Sequence, residues 1–449
     1  MQSKSFSLNI SHKIKSYNKS IIVDSDKSLS IRSFLIGSIS QNISLVKNVL
    51  ESEDVISTIE CLKKLGVKIE KIGTKSYKIY GKGLGSLIAN KNLSLNFGNS
   101  GTLCRLIIGI LSTTPDIEIK IRGDHSLNKR SMKDLIQLMS KFGAEFLPKN
   151  KFKLPLKLIS TEMPIGIKYK AGVSAQLKSA VILAGLNSYG VTEITEEKKS
   201  RDHTENMIIN NFQAIRIEKK KSKIIKIFGK KNLNPIDINI PGDPSSAAFF
   251  TALTLLNKKS SLKIQNIGLN PTRIGFYELL KKHGANIKIL KKREHNNEII
   301  GEIIIRSGKL KKPIQASKEF YEKTTDEFPI LFCIAALTKG ISVFKGIKDL
   351  ANKESNRIKE MQKILRQAGI KSFATKNEMK IYGKDYLENK NKEIKVPNLG
   401  DHRICMSSSI LSLITGIKIK IKNFETVKTS SPNFLRTIKS LGAKFEIKK

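Results

Sequence analysis

The chain has 449 residues, too many for a single hydrophobic core, so two or more domains are expected. Hydrophobic residues make up 39%, enough to pack a globular interior, and no apolar run reaches the ~18 residues of a membrane-spanning helix. The net charge of +42 comes mostly from scattered Lys, and the 6% of aromatics do not alternate with Lys runs as a nucleic-acid stacking platform requires, so an anionic substrate is favoured over a nucleic acid.

Met1 to Val23 contains no acidic residue and is rich in Ser and Lys, a faint transit-peptide signature, but it has no apolar h-region. Ser20 to Val23 reads as the end of a first strand, expected to pair with the C-terminal half. A mature cytoplasmic start is the expectation. Four cysteines, Cys61, Cys104, Cys333 and Cys405, are far apart in helix-like stretches and form no CxxC pair. Reduced core thiols in a cytoplasmic protein fit that spacing.

Along the chain one pattern recurs six times. An amphipathic helix ends at Gly, or a substitute, and an alternating strand follows. The first has Ile56, Ile59, Leu62 and Leu65 before Gly66. The second has Leu135, Leu138, Met139 and Phe142 before Gly143. The third has Met207, Ile208 and Phe212 before Gln213, which stands where Gly is expected. The rest end at Gly284, Gly369 and Gly442. The spacing of 70–85 residues leaves room for two helices and several strands per unit. Lys219-Lys220-Lys221 and Lys291-Lys292-Arg293 read as solvated turns.

A second helix in each unit opens on polar residues. These openings are Asp26-Lys27-Ser28, Asn99-Ser100-Gly101-Thr102, Ser174-Ala175-Gln176, Gly242-Asp243-Pro244, Thr325-Asp326-Glu327 and Gly400-Asp401-His402-Arg403. Asp26, Asp243 and Asp401 can act as N-caps, and Asp326 has the same reading. Each opening alone is more often a cap than a site. Six of them, in two groups of three, are expected to converge on one cleft where N–H groups and Arg side chains hold anions. Phe97 to Leu106 is the richest opening, with Arg105 one turn into its helix. The expected hinge lies near Ile240-Pro241-Gly242.

Three further clusters stand out: Lys199 to Glu205, Asn352 to Ile358 and Gly123 to Arg130. With these the chain resembles the 5-enolpyruvylshikimate-3-phosphate synthase family, in its class II-like bacterial form. The resemblance rests on DKSLSIR at 26–32, GNSGTLCRL at 98–106, SAQLKSAVILAGL at 174–186, RDHTE at 201–205, PGDPSSAAFF at 241–250, NPTR at 270–273, DEFP at 326–329, KESNR at 353–357 and DHRICM at 401–406. It implies a two-domain inside-out α/β barrel of six βαβαββ units, three per domain. The domains would be 23–241, and 1–22 plus 242–449.

The resemblance also implies the reaction. The 5-hydroxyl of shikimate 3-phosphate attacks phosphoenolpyruvate, and phosphate leaves. No metal or organic cofactor is implied, and no His/Cys/carboxylate set has metal-ligand spacing. By resemblance, Asp326 is the base, and Glu354 aided by Lys27 is the acid. Lys27, Ser28, Arg32, Ser174, Ala175, Gln176, Arg201, Asp326 and Lys353 would bind shikimate 3-phosphate. Lys27, Asn99, Gly101, Arg130, Gln176, Arg357 and Arg403 would bind phosphoenolpyruvate. The herbicide glyphosate competes for the latter site in the family, and some insensitive members carry Ala where this chain has Gly101.

Asn356, Ser131 and Ser431 depart from the family's usual Asp, Pro and Phe. Asn356 is expected to weaken a contact near Arg357. Lys428 lies one position from a phosphate-contacting Lys of some members, and that role is not carried over. The alternatives are a UDP-N-acetylglucosamine enolpyruvyl transferase, disfavoured because Thr113 to Asp134 has no acid Cys, and a non-catalytic basic nucleic-acid-binding protein. A monomer with no nucleic-acid or membrane partner is expected.

Overall fold

The computed structural model describes residues 5–219, 221–385, 387 and 392–449. Met1 to Lys4 and Lys220 therefore lie outside the described residues. The chain divides into two compact units. One unit holds residues 25–240 and 295–298; the other holds 1–24, 241–294 and 299–449.

The sixfold pattern of the sequence becomes six four-stranded sheets, three built mainly from each unit. In every sheet one pair is parallel, as with Ser94–Asn96 on Glu118–Arg122, and antiparallel strands complete it. In four sheets the parallel pair is joined by a local helical crossover; in the other two, Asp237–Asn239 on Ile43–Lys47 and Asn18–Ile22 on Ser261–Gly268, the partners are far apart in the chain. Two short strands precede residue 23 where the sequence suggested one. Ser7–Ile10 sits between Lys418–Ile421 and Glu446–Lys448, and Asn18–Ile22 pairs with Ser261–Gly268. The N-terminal segment thus completes two sheets of the C-terminal unit.

Six helices carry the polar openings: α1 (Lys27–Ile39), α2 (Gly101–Ser112), α3 (Ala175–Leu186), α4 (Pro244–Leu256), α5 (Phe328–Ala336) and α6 (His402–Thr415). Most have no polar face, so they are buried on nearly all sides past the first turn. Several of their interior hydroxyls turn back to the backbone one turn earlier, as Ser33 does to Leu29 and Ser409 to Cys405. Gly109 lets α2 lie against α3, because a β-carbon there would meet the Ala180 carbonyl oxygen at 2.6 Å. Each unit encloses its own apolar core around three of these helices.

The outer helices end as their glycines dictate. Gly66, Gly143, Gly284, Gly369 and Gly442 all take left-handed φ values, between 82° and 106°. The third unit differs. Its helix, His203–Ile208, stops early, and two successive turns (Asn211 N–H to Ile208, Ala214 N–H to Asn211) lead into Ile215–Lys219. Phe212 is consequently 72% exposed rather than on a helix face. In Glu53–Lys64 the buried stripe is Asp54, Val55, Thr58, Cys61 and Leu62, so Ile56 faces outward. The carboxylate of Asp54 is drawn inward by Lys27, which rotates the stripe from the purely apolar one. Lys291-Lys292-Arg293 forms no turn; it lies on the exposed strand Ile287–His295. Lys219 likewise ends a strand.

Candidate active site

In the unit of residues 25–240, three helix openings carry the expected cations. At α1, the Asp26 carboxylate accepts the Leu29 N–H at 2.9 Å. Lys27 Nζ is 2.9 Å from Asp54. Arg32 is buried and donates from Nε to Thr204 Oγ1 (2.9 Å), from Nη2 to Ser179 Oγ (3.3 Å) and from Nη1 to the Ser28 carbonyl (3.1 Å). At α2, Ser100 is the cap, and its hydroxyl accepts the Leu103 N–H at 3.2 Å. Asn99 forms a relay: it donates to Asp124 (2.8 Å) and accepts from Arg130 Nη2 (2.7 Å). Asp124 also caps the short helix His125–Lys129, so one carboxylate fixes both Asn99 and the turn that ends at Arg130.

Gly101 stands between two guanidinium groups. A β-carbon there would lie 2.8 Å from Arg105 Nη1 and 3.0 Å from Arg130 Nη1. Its φ is not left-handed, so the absent side chain serves space rather than backbone conformation. At α3, Ser174 caps Leu177 N–H, and Gln176 donates to Thr102 on α2 at 3.0 Å. That bond links the openings of α2 and α3. Arg201 is partly buried at the start of the RDHTE segment, whose last three residues already belong to a helix.

In the other unit the chemistry gathers around Arg357, which is 1% exposed. Its Nε donates to Asp401 at 2.9 Å, its Nη2 lies 2.5 Å from Glu354, and its Nη1 is 3.9 Å from Asp326. Burial acts against the charged guanidinium, but Asp401 and Glu354 outweigh it and hold the group firmly protonated. Arg403 Nη2 is 3.9 Å from the other oxygen of Asp326. Phe249 presents its ring to Arg403 at 6.0 Å. Among the described residues, the buried Arg357 Nη1 and Arg403 Nε and Nη1 have no hydrogen-bond partner. Buried N–H groups left unpaired are costly, and an anionic oxygen would satisfy them. Lys353 and Glu354 are partly exposed beside this set.

A family model described as EPSP synthase (3-phosphoshikimate 1-carboxyvinyltransferase) matches residues 11–438. The chain belongs to this family. A 3-phosphoshikimate 1-carboxyvinyltransferase of Zymomonas mobilis is 36% identical over 442 residues, 98% of this chain and 97% of the relative. The Bacillus subtilis protein of the same name is 36% identical over 440 residues, covering 96% and 99%. An EPSP synthase structure from Acinetobacter baumannii superposes with a TM-score of 0.84 at 33% identity, over 99% of this chain and 100% of that one. An enolpyruvyl transferase from Streptomyces tendae, NikO, shares the fold with a TM-score of 0.74 at 12% identity. The family fold is the two-domain inside-out α/β barrel, and the six sheets and buried helices are its units.

Two expectations change on the structure. Asp326 does not cap α5: Glu327 holds the N-cap position, and Asp326 faces Arg357 and Arg403 instead. Asn356 does not pair with Arg357; it caps its own helix by accepting Lys359 N–H at 3.1 Å, while Glu354 and Asp401 serve the arginine. Ser431, in place of the family's usual Phe, donates to buried Asp24 at 2.7 Å, and Asn433 donates to the same carboxylate. Lys428 is exposed. Asp401 and Asp124 were read as a cap and as part of a motif. Their second roles, anchoring Arg357 and Asn99, depend on residues far away in sequence. Among the described residues, no group of three His, Cys, Asp or Glu side chains is arranged to hold a metal ion.

Proposed function

We propose that the chain transfers the enolpyruvyl group of phosphoenolpyruvate to the 5-hydroxyl of shikimate 3-phosphate and releases phosphate. It thereby serves the shikimate pathway of aromatic amino acid biosynthesis. The observation that carries this reading is the set of buried N–H groups on Arg357 and Arg403 that have no hydrogen-bond partner among the described residues, beside the carboxylates Asp326 and Glu354. Phosphoenolpyruvate brings a carboxylate and a phosphate, the planar, bidentate acceptors that guanidinium groups fit.

In this reading Arg357 and Arg403, with Lys27, Asn99, Gly101, Arg130 and Gln176, hold phosphoenolpyruvate. Lys27, Ser28, Arg32, Ser174, Ala175, Gln176, Arg201, Asp326 and Lys353 hold shikimate 3-phosphate. Asp326 takes the proton of the attacking hydroxyl. Glu354, aided by Lys27, delivers a proton to the methylene carbon as the new C–O bond forms at carbon 2. The tetrahedral adduct then loses phosphate, and a proton leaves the methyl group to restore the enol ether. Each proton transfer needs a group within hydrogen-bond reach, which positions both carboxylates as more than charge partners. The two arginines lower the cost of the charge that gathers on the leaving phosphate.

The enolpyruvyl transferase domains are assigned as 23–241, and 1–22 plus 242–449. The compact units support the bounds near residues 22 and 241 to within two residues, while residues 295–298 group with the first unit instead. A cytoplasmic monomer with no nucleic-acid partner completes the reading. The four buried free thiols fit a reducing compartment, and no helix among the described residues is long and apolar enough to cross a membrane.

Coupled phosphate release from the purified protein tests the reading. Phosphate should appear only when both substrates are present. Release with UDP-N-acetylglucosamine in place of shikimate 3-phosphate would instead support the alternative transferase.

A further inference from the structure

Four charged side chains form a buried cluster that the reaction above does not use. Lys178, on α3, is fully buried. Its Nζ lies 2.6 Å from Glu196 Oε1 and 2.7 Å from Glu205 Oε1. Lys223 closes the set at 3.2 Å from Glu205 and 3.5 Å from Glu196. Glu196 ends the strand Val191–Glu196, and Glu205 lies in the helix His203–Ile208. One ammonium therefore ties together both ends of the short segment that carries Arg201. Glu196 Oε1 also accepts the N–H (2.9 Å) and the hydroxyl (2.7 Å) of Ser200, the residue next to Arg201. At the other end, Thr204 donates to Ser179 at 2.8 Å and accepts from Arg32.

A buried ionic cluster is a poor way to gain stability, since well-packed apolar side chains do as well or better. What it supplies is a defined geometry. The two lysines balance the two glutamates, and burial, which pushes the Glu196 carboxyl up, is outweighed by Lys178, which holds it below the usual carboxylate range. Helix α3 begins at the Ser174–Gln176 opening, one turn before Lys178. The clasp therefore fixes Arg201 relative to that opening and to Arg32.

We infer that Lys178, Glu196, Glu205 and Ser200 are positioning residues that set the shikimate 3-phosphate site by holding Arg201 and Arg32 in register with the N-terminus of α3. This rests on the substrate assignment proposed above. It predicts selectivity between the two substrates, which a general packing role would not give. Without the clasp, the Arg201 segment would have to be ordered by the ligand, and that cost falls on shikimate 3-phosphate alone.

The test is steady-state kinetics of Ser200→Ala, Ser200→Thr and the charge-balanced double variant Lys178→Met/Glu205→Gln, with thermal melting as a check of folding. Ser200→Ala removes one hydrogen bond and should raise the KM for shikimate 3-phosphate about five-fold. Ser200→Thr keeps the hydroxyl and should stay within about two-fold of wild type. The double variant should raise that KM by about ten-fold or more. In all three, the KM for phosphoenolpyruvate should stay within about two-fold. Equal rises in both KM values, or a shikimate 3-phosphate KM that Ser200→Ala leaves unmoved, would overturn the inference. If the double variant does not fold, the Ser200 pair decides alone. A wild type that turns over normally while the variants show no selectivity overturns the clasp and leaves the functional reading standing; a wild type that releases no phosphate overturns both.

Discussion

Individual side chains here hold roles that the sequence states only in part. Asp326 and Glu354 were legible as candidate carboxylates because each lies in a dense motif; that Asp326 faces Arg357 and Arg403 was not, since both are distant in the chain, whereas Glu354 meets Arg357 within its own motif. Asp326→Ala and Glu354→Gln should each lower kcat by ~10² or more while substrate binding changes less, the usual worth of a positioned proton carrier. A variant that keeps a third of wild-type kcat would remove that residue from the mechanism. Gly101 makes a sharper case. A glycine at this point can serve a strained turn or a need for space, and a φ outside the left-handed region decides for space. An added methyl must push on the ends of Arg105 and Arg130, which are flexible and can give way by a few tenths of an ångström. Gly101→Ala should therefore fold normally and raise the inhibition constant of glyphosate, which is longer than phosphoenolpyruvate, more than it raises the phosphoenolpyruvate KM. Equal fold-changes in both constants would refute the steric account.

At the level of elements, the periodic parts of the fold were readable and the aperiodic parts were not. Five outer helices end where a left-handed glycine tells them to, because that rule is local. The third helix, which has Gln213 in place of the expected glycine and stops at Ile208, could not be bounded from sequence, and Phe212 was misplaced with it. The stripe of Glu53–Lys64 was misread for another reason: a polar side chain, Asp54, is buried by a partner on α1 that no helical period reveals. Helix α6 shows an element and a site sharing one residue. Asp401 caps it, accepting Arg403 N–H at 3.0 Å, and also holds Arg357. Substitution can separate these jobs. Asn caps a helix nearly as well as Asp, whereas Ala does not cap at all. Asp401→Asn and Asp401→Ala should raise the phosphoenolpyruvate KM to a similar extent, because both lose the charge that anchors Arg357. Denaturant titration should find the Ala variant less stable than the Asn variant by about 1 kcal/mol, the worth of the cap. If the Asn variant binds phosphoenolpyruvate like wild type, Asp401 is only a cap.

For the molecule as a whole, the net charge of +42 was the most visible feature of the sequence and the least informative about fold. Many lysines lie on exposed strand faces, as in Ile287–His295, and pair loosely with nearby Glu at half-exposed positions. Such exposed pairs add little stability. What so large a positive field does is raise the concentration of anions near the surface. Both proposed substrates carry a phosphate and a carboxylate, so their encounter with the protein should be accelerated. Screening shortens the reach of that field to roughly 10 Å at 0.1 M salt and about 3 Å at 1 M. kcat/KM for shikimate 3-phosphate should therefore fall several-fold between about 20 mM and about 500 mM of a salt whose anion does not compete for the site. kcat at saturating substrate should change much less, because the buried contacts of Arg357 and Arg32 are shielded from bulk ions. Measuring both constants across that range at fixed pH separates steering from specific anion competition. Competition would raise KM in proportion to anion concentration and would differ between chloride and acetate. A kcat/KM that does not depend on ionic strength would mean that the charge has no part in substrate capture, and compositional drift towards lysine would then be its sufficient explanation.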